Sequence, residues 1–419
     1  MDSTLRENPR SRRIPAISSE CRDASTPSSS LAKRRGLRSL SMTARSRKSN
    51  PATGRIGQLL IVGFDGTEMS PQLRSLLMRI QPAGVIFFAR NIVTAEQTHR
   101  LLSDCQSCVS TPLFTCVDME GGRVDRFREV LGPSPSAADV FASCDRELFR
   151  KHGRILGECC RALGFNTDLA PVVDLAFEAS RAVMSSRAVS ADPAEAVRYA
   201  RGFLAGLRSA GVLGVLKHFP GLGEANLDTH HELPSVDKPW QQLWQQDLKP
   251  FRALRREAAM VLVGHAAYPG VTRTRVPASL SQRWIGDILR KKIGYHSLVV
   301  SDDLEMGAVL KAAPIEQAAV GHIRASGDLC LVCHREKHVV MAYEALTREA
   351  ERDGTFARRC EQSIARVLAF KKKCKELRRR GSAPTSAKLE KLTRQLWEFS
   401  EQVRLEALTS RADDQRGRA

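Results

Sequence analysis

No stretch of this chain reaches the about eighteen consecutive apolar residues that a membrane-spanning helix needs, so no span is expected. The N-terminus carries charges but no apolar core segment, and it is not read as an export signal. Its Arg/Ser-rich texture leaves an organelle transit peptide, a disordered extension or a start at Met42 open. The glycine-rich turn of a dinucleotide fold is also missing after the first apolar run, where Gly66-Thr67-Glu68-Met69 has the wrong spacing. Acidic residues are the scarcer charge, 46 against 65 Lys and Arg, giving a net +19. Residues 1–50 hold twelve basic and four acidic residues, and 371–419 hold fourteen and seven; the stretch between is nearly neutral. Basic ends can contact nucleic acid or anionic lipid. The first of these ends holds no aromatic and the second only Trp397 and Phe399, too few to interleave with the basic residues and stack on bases, so solvated extensions are the simpler reading.

The eleven cysteines include Cys105-Gln-Ser-Cys108 and Cys330-Leu-Val-Cys333, which invite a zinc reading. The first pair lies in a helix-like stretch and the second in a strand-like run, where alternation sends Cys330 and Cys333 to opposite faces. No metal is expected. Buried thiols in a reducing compartment account for them, and a cytoplasmic location follows.

From Arg55 onward, short apolar runs alternate with longer helical stretches, the pattern of repeated βα units. Eight runs qualify: 59–64, 84–88, 113–117, 165–170, 213–216, 260–263, 298–300 and 328–332. Helices are expected over 71–80, 95–107, 146–163, 193–210, 240–256, 282–292 and 314–325. Eight strands with intervening helices predict an α/β chain folded as a closed (β/α)8 barrel over 53–370, with an open doubly wound sheet as the alternative. Residues 1–52 read as a disordered basic extension and 371–419 as a basic linker, broken at Gly381-Ser382-Ala383-Pro384, plus a C-terminal helix. In that helix Leu389, Leu392, Leu396, Phe399 and Val403 share one face, suited to docking on the barrel or on a partner.

Barrel enzymes place their chemistry where strands end, and here those ends are loaded with polar groups. The third run leads into Asp118-Met119-Glu120-Gly121-Gly122-Arg123 and the fourth ends near Asp168 and Asp174. The fifth leads into Lys217-His218-Phe219-Pro220-Gly221; the sixth ends at His265, the seventh at Asp302-Asp303 and the eighth at His334. Asp228 and His230, two apart in a loop, suit a carboxylate that orients an imidazole; the spacing alone also suits an ordinary surface pair. Asp302 should project into the barrel mouth, where a carboxylate can act as nucleophile and leaving group, although adjacent Asp residues also suit a metal.

Together KHFPGxG…DxHxxLP (Lys217–Pro234), VDxEGGRVxRF (Val117–Phe127) and SDDLxM (Ser301–Met306) resemble glycoside hydrolase family 3, and most closely its bacterial β-N-acetylglucosaminidase branch, over about residues 55–370. The resemblance implies a retaining hydrolase that removes terminal β-linked N-acetylglucosamine from a small saccharide in peptidoglycan recycling, with neither metal nor organic cofactor. It implies Asp302 as the nucleophile that forms a covalent glycosyl-enzyme and His230, partnered by Asp228, as acid/base. Asp118, Arg126, Arg187, Lys217 and His218 match positions that hold the sugar. The chain departs from the family pattern at Leu222 (usually His), Glu224 (often Asp), Ser185 (Gly) and Val189 (Phe), which bears on substrate choice. Another β-glycoside specificity, phosphorolysis, or a non-catalytic barrel whose basic tails bind nucleic acid or membrane are the alternatives.

Overall fold

The computed structural model describes residues 53–225, 233–378 and 381–416. The basic extension expected over 1–52 and the pair Asp228 and His230 lie outside the described residues. Among the described residues ten strands form in chain order: β1 (Leu60–Val62), β2 (Gly84–Phe87), β3 (Phe114–Val117), β4 (Met119–Gly121), β5 (Val124–Asp125), β6 (Thr167–Asp168), β7 (Leu213–Phe219), β8 (Met260–Val263), β9 (Leu298–Asp303) and β10 (Leu329–Val332). Eight of them close a parallel barrel in the cyclic order β1-β2-β3-β6-β7-β8-β9-β10, and β4 and β5 form a small antiparallel hairpin. Every barrel strand falls within or across an expected apolar run. Both faces of a parallel strand are buried, so such strands read as unbroken apolar segments.

Strand alternation divides the core. Ile61, Ile86, Phe114, Cys116, Val215, Leu262, Val300 and Leu331 fill the barrel interior. Their neighbours, such as Leu60, Val85, Val117 and Val332, pack outward against the helices. Cys330 belongs to the outer cluster and Cys333 to the inner one. The base of the barrel is closed by Val367, Phe370, Cys374 and Leu377, which pack with Phe114, Leu298 and Leu329 at the strand beginnings.

The helices 71–80, 95–107, 146–163 and 193–210 have the expected bounds because their ends are chemically marked. Ser70, Thr94, Asp145 and Asp192 each accept a hydrogen bond from a first-turn N–H. Gly164 (φ 100°) and Gly211 (φ 78°) stop two of them in the left-handed conformation. The helix expected over 240–256 is instead two, Trp240–Gln245 and Leu248–Ala253. Asp247 turns inward between them to meet Lys238 at 2.7 Å, and Pro250 is tolerated only in the first turn of a new helix. Two further helices, Glu336–Arg352 and Gly354–Lys373, complete the outer layer. In the C-terminal helix Ser386–Arg416, Leu392, Leu396, Phe399 and Val403 are buried, and the helix packs against Arg146–Leu163 and Ala137–Ala142. Among the described residues no helix is long and apolar enough to cross a membrane.

Candidate active site

The first wall of the site is the β4–β5 hairpin, raised on the end of β3. Its turn depends on glycine. Gly121 sits at φ 85°, and a Cβ there would lie 2.2 Å from the Pro135 carbonyl oxygen. The hairpin presents Asp118 and Glu120 to β7, whose Lys217 Nζ lies 2.7 Å from Asp118 Oδ1 and 2.5 Å from Glu120 Oε1. Arg187 meets Glu120 through two parallel bonds, Nε–Oε2 at 2.7 Å and Nη2–Oε1 at 2.8 Å. Burial opposes ionisation of Glu120, but the Lys217 and Arg187 charges outweigh it and hold this carboxyl far below the ordinary range. Arg126 stands at the edge, its guanidinium 4.0 Å from Asp118 Oδ2.

A second device supports β7. Asp174, fully buried, accepts from the His218 backbone N–H (3.1 Å), from His218 Nδ1 (2.6 Å) and from the Leu222 N–H (2.7 Å). A carboxylate can only accept, so His218 carries a proton on Nδ1 and Nε2 is the ring atom left for a ligand.

The third wall is the end of β9. Asp302 accepts from the Asp303 N–H at 2.9 Å. Burial raises the Asp302 carboxyl, yet the field of His218, the Asp303 N–H and Lys217 together hold it below its ordinary value. It is therefore a carboxylate at neutral pH. The side chain of Asp303 caps the following turn through the Glu305 N–H (3.0 Å) and pairs with His334 Nε2 (3.0 Å). That bond holds the His334 imidazolium above the usual histidine value, against partial burial. His334 also stacks on Phe88, with centroids 5.5 Å apart.

These walls enclose a cavity of about 310 Å³ at the C-terminal mouth of the barrel. Asp118, Arg126, Arg187, Lys217, His218 and Asp302 all line it, and this volume fits a small ligand. The strand ends also contribute Glu120, Asp303 and His334 to the lining. Glu120, Asp174 and His265 are strand-end residues given no role in the sequence reading; the structure makes them the partners of Arg187, His218 and Asp303. Among the described residues no group of three or more His, Cys, Asp or Glu side chains is placed to hold a metal ion.

Residues 53–370 match the family described as Glycosyl hydrolase family 3 N terminal domain. The chain belongs to glycosyl hydrolase family 3. It is 38% identical over 285 residues to a protein named Beta-hexosaminidase from Xanthomonas oryzae, covering 66% of this chain and 84% of that one. A family 3 β-N-acetylglucosaminidase from Paenibacillus sp. superposes with a TM-score of 0.77 at 31% identity, over 83% of this chain and 68% of that one. A β-N-acetylhexosaminidase from Beutenbergia cavernae gives 0.71 at 26% identity, over 77% and 98%. As a family 3 member the chain is a glycosidase on a (β/α)8 barrel. Of its departures from the family pattern, Leu222 lines the cavity; Glu224 Oε1 lies 3.6 Å from Lys238 Nζ, and Ser185 holds φ 35°, ψ −119°, a conformation that favours glycine.

Proposed function

We propose that this family 3 glycosidase removes terminal β-linked N-acetylglucosamine with retention, through a covalent glycosyl-enzyme on Asp302. The observation that carries the reading is the state of Asp302. It lies on the wall of a sugar-sized hollow, its carboxyl held below the ordinary value chiefly by the field of His218, with the Asp303 N–H donating to it. A nucleophile must be unprotonated, and a carboxylate also leaves readily, so that glycosylation and deglycosylation can both proceed. Lys217, Arg187, Arg126, Asp118 and His218 supply the donors and acceptors that fix the hydroxyls of one sugar ring.

His230, oriented by Asp228, would serve as acid and then base. A histidine needs little burial to hold a proton near neutrality. The described stems of their loop support this assignment. Leu222 on the outgoing side lines the cavity, and Val236 on the returning side donates to the Ala267 carbonyl at 2.8 Å, just beyond the end of β8. The relatives named for hexosaminidase activity support the choice of N-acetylated sugar. The ten described cysteines are all free thiols, nine of them buried, which fits a reducing compartment and, with the bacterial resemblance, a cytoplasmic role in peptidoglycan recycling.

The test is turnover of an aryl N-acetyl-β-glucosaminide by the wild-type chain and by Asp302→Ala, with aryl β-glucoside and added phosphate as controls. Turnover of the N-acetylated substrate alone, lost in Asp302→Ala, is the expected result. Wild-type protein inert toward every aryl β-glycoside, or Asp302→Ala with full activity, overturns the reading.

A further inference from the structure

Three fully buried polar side chains lie behind the nucleophile, outside the cavity, and none of them was given a contact with the sugar: His265, Ser279 and His322. His265 follows β8, Ser279 lies in the next connection, and His322 belongs to the helix Ile315–Arg324. His265 Nε2 lies 2.8 Å from the Asp303 carbonyl oxygen and His265 Nδ1 lies 2.7 Å from Ser279 Oγ. His322 Nδ1 lies 2.8 Å from the Ser279 carbonyl oxygen.

A carbonyl only accepts, so each contact fixes a proton. His265 carries hydrogen on Nε2 and donates it to Asp303. Its Nδ1 is then bare, and the Ser279 hydroxyl must donate to it. His322 likewise holds its proton on Nδ1, facing Ser279. Burial pushes both imidazoles below the ordinary histidine value, which suits one proton on each ring. The chain of donation therefore runs in one direction, from Ser279 through His265 to the Asp303 carbonyl. The far side of Asp303 completes it: its N–H donates to Asp302 Oδ1 at 2.9 Å. Asp303 is thus gripped at its carbonyl by His265 and at its carboxylate by the Glu305 N–H and His334, while its amide aims Asp302.

We propose that His265 and Ser279 are positioning residues for the nucleophile, with Ser279 selecting the His265 tautomer that pins Asp303 and thereby fixes the Asp302 carboxylate. The inference rests on Asp302 being the nucleophile. Neither side chain lines the cavity, so their effect falls on the aim of Asp302 and not on substrate contacts. Without the Ser279 hydroxyl the neutral imidazole can carry its proton on Nδ1. Nε2 then presents a lone pair to the Asp303 carbonyl, and the grip is lost. Small displacements of a reacting group cost large factors in rate.

The experiment is a double-mutant cycle with Ser279→Ala and His265→Gln, read as kcat and KM on the aryl N-acetyl-β-glucosaminide, with a thermal melt of each protein. The glutamine amide nitrogen can replace Nε2 as donor to Asp303 but has no tautomer for Ser279 to select. Ser279→Ala alone should lower kcat about tenfold with KM changed less than about twofold. In the His265→Gln background the same substitution should change kcat less than about twofold, because its route is gone. An equal drop in both backgrounds overturns the proposal, as does a Ser279→Ala protein with unchanged kcat. A drop in kcat that only tracks the melting temperature overturns it too, since that marks a merely structural role. Full turnover by Asp302→Ala would remove the nucleophile reading itself, and that result is obtained independently of this cycle.

Discussion

Arg187 and Glu120, 67 residues apart in sequence, form a two-pronged ion pair with both side chains largely hidden from water. The pair is half of a four-membered lattice, since Lys217 bridges Glu120 to Asp118. The lattice joins the β4–β5 hairpin, β7 and the segment Ser185–Arg187 into one wall of the cavity. Two carboxylates and two cations balance there, so no member can be removed without stranding another.

Glu120→Gln should therefore destabilise the fold by about 3–5 kcal/mol, the cost of leaving buried cations unpaired. The Glu120 carboxyl titrates below its ordinary value of 4.5 in the folded chain, so its stabilisation is present above that pH and fades as pH falls. Urea midpoints measured from pH 7 down to pH 3 should fall less steeply in Glu120→Gln than in wild type. Parallel curves would mean that Glu120 is not the buried anion described.

The Asp302 carboxylate is held below its ordinary value, burial being overcome chiefly by His218. The proposed mechanism needs this carboxylate, so the acid limb of kcat/KM should fall as pH drops through that lowered value, while loss of the His230 proton sets the alkaline limb. His218→Gln removes the largest favourable field. It should move the acid limb upward by up to about one pH unit, besides weakening substrate binding. An unmoved limb would separate Asp302 from His218.

Ser185 occupies φ 35°, where a side chain is strained, and it stands where the family pattern has glycine. Ser185→Gly should stabilise the protein by about 1 kcal/mol, read as a rise in the melting temperature. A fall would show that the Ser185 side chain earns its place by contacts stronger than the strain.

At the other end of the barrel Lys371 is buried, with Nζ 2.9 Å from Gln58 Oε1 and 3.2 Å from Thr111 Oγ1, and among the described residues no carboxylate pairs with it. Burial pushes this ammonium down to about 7. Between there and the ordinary lysine value of 10.5 the unfolded chain holds a proton that the folded chain does not, so stability should rise with pH over this window. The slope should approach about 1 kcal/mol per pH unit and vanish in Lys371→Met. A wild-type stability that stays flat from pH 7 to pH 10 contradicts the burial described.

The barrel was legible in the sequence because parallel strands are apolar on both faces, and the principal helices because Ser70, Thr94, Asp145 and Asp192 mark their starts. Asp302 was legible because it follows such a strand. What the sequence hid was pairing at a distance. Lys217 and Asp118 are separated by 99 residues and His218 and Asp174 by 44, and no local spacing encodes those contacts. The break at Asp247 was hidden for the same reason. Its inward turn answers Lys238, which sits outside the helical pattern and shows no sign of the partnership in the sequence.

The central claim is a covalent bond between the sugar and one carboxylate, and it can be caught. The chain would be incubated with 5-fluoro-N-acetylglucosaminyl fluoride, digested, and the labelled peptide sequenced by mass spectrometry. The account predicts one glycosylated residue, Asp302, in the peptide that spans the end of β9. Label on another side chain, or steady turnover of the reagent with no peptide ever labelled, would contradict it.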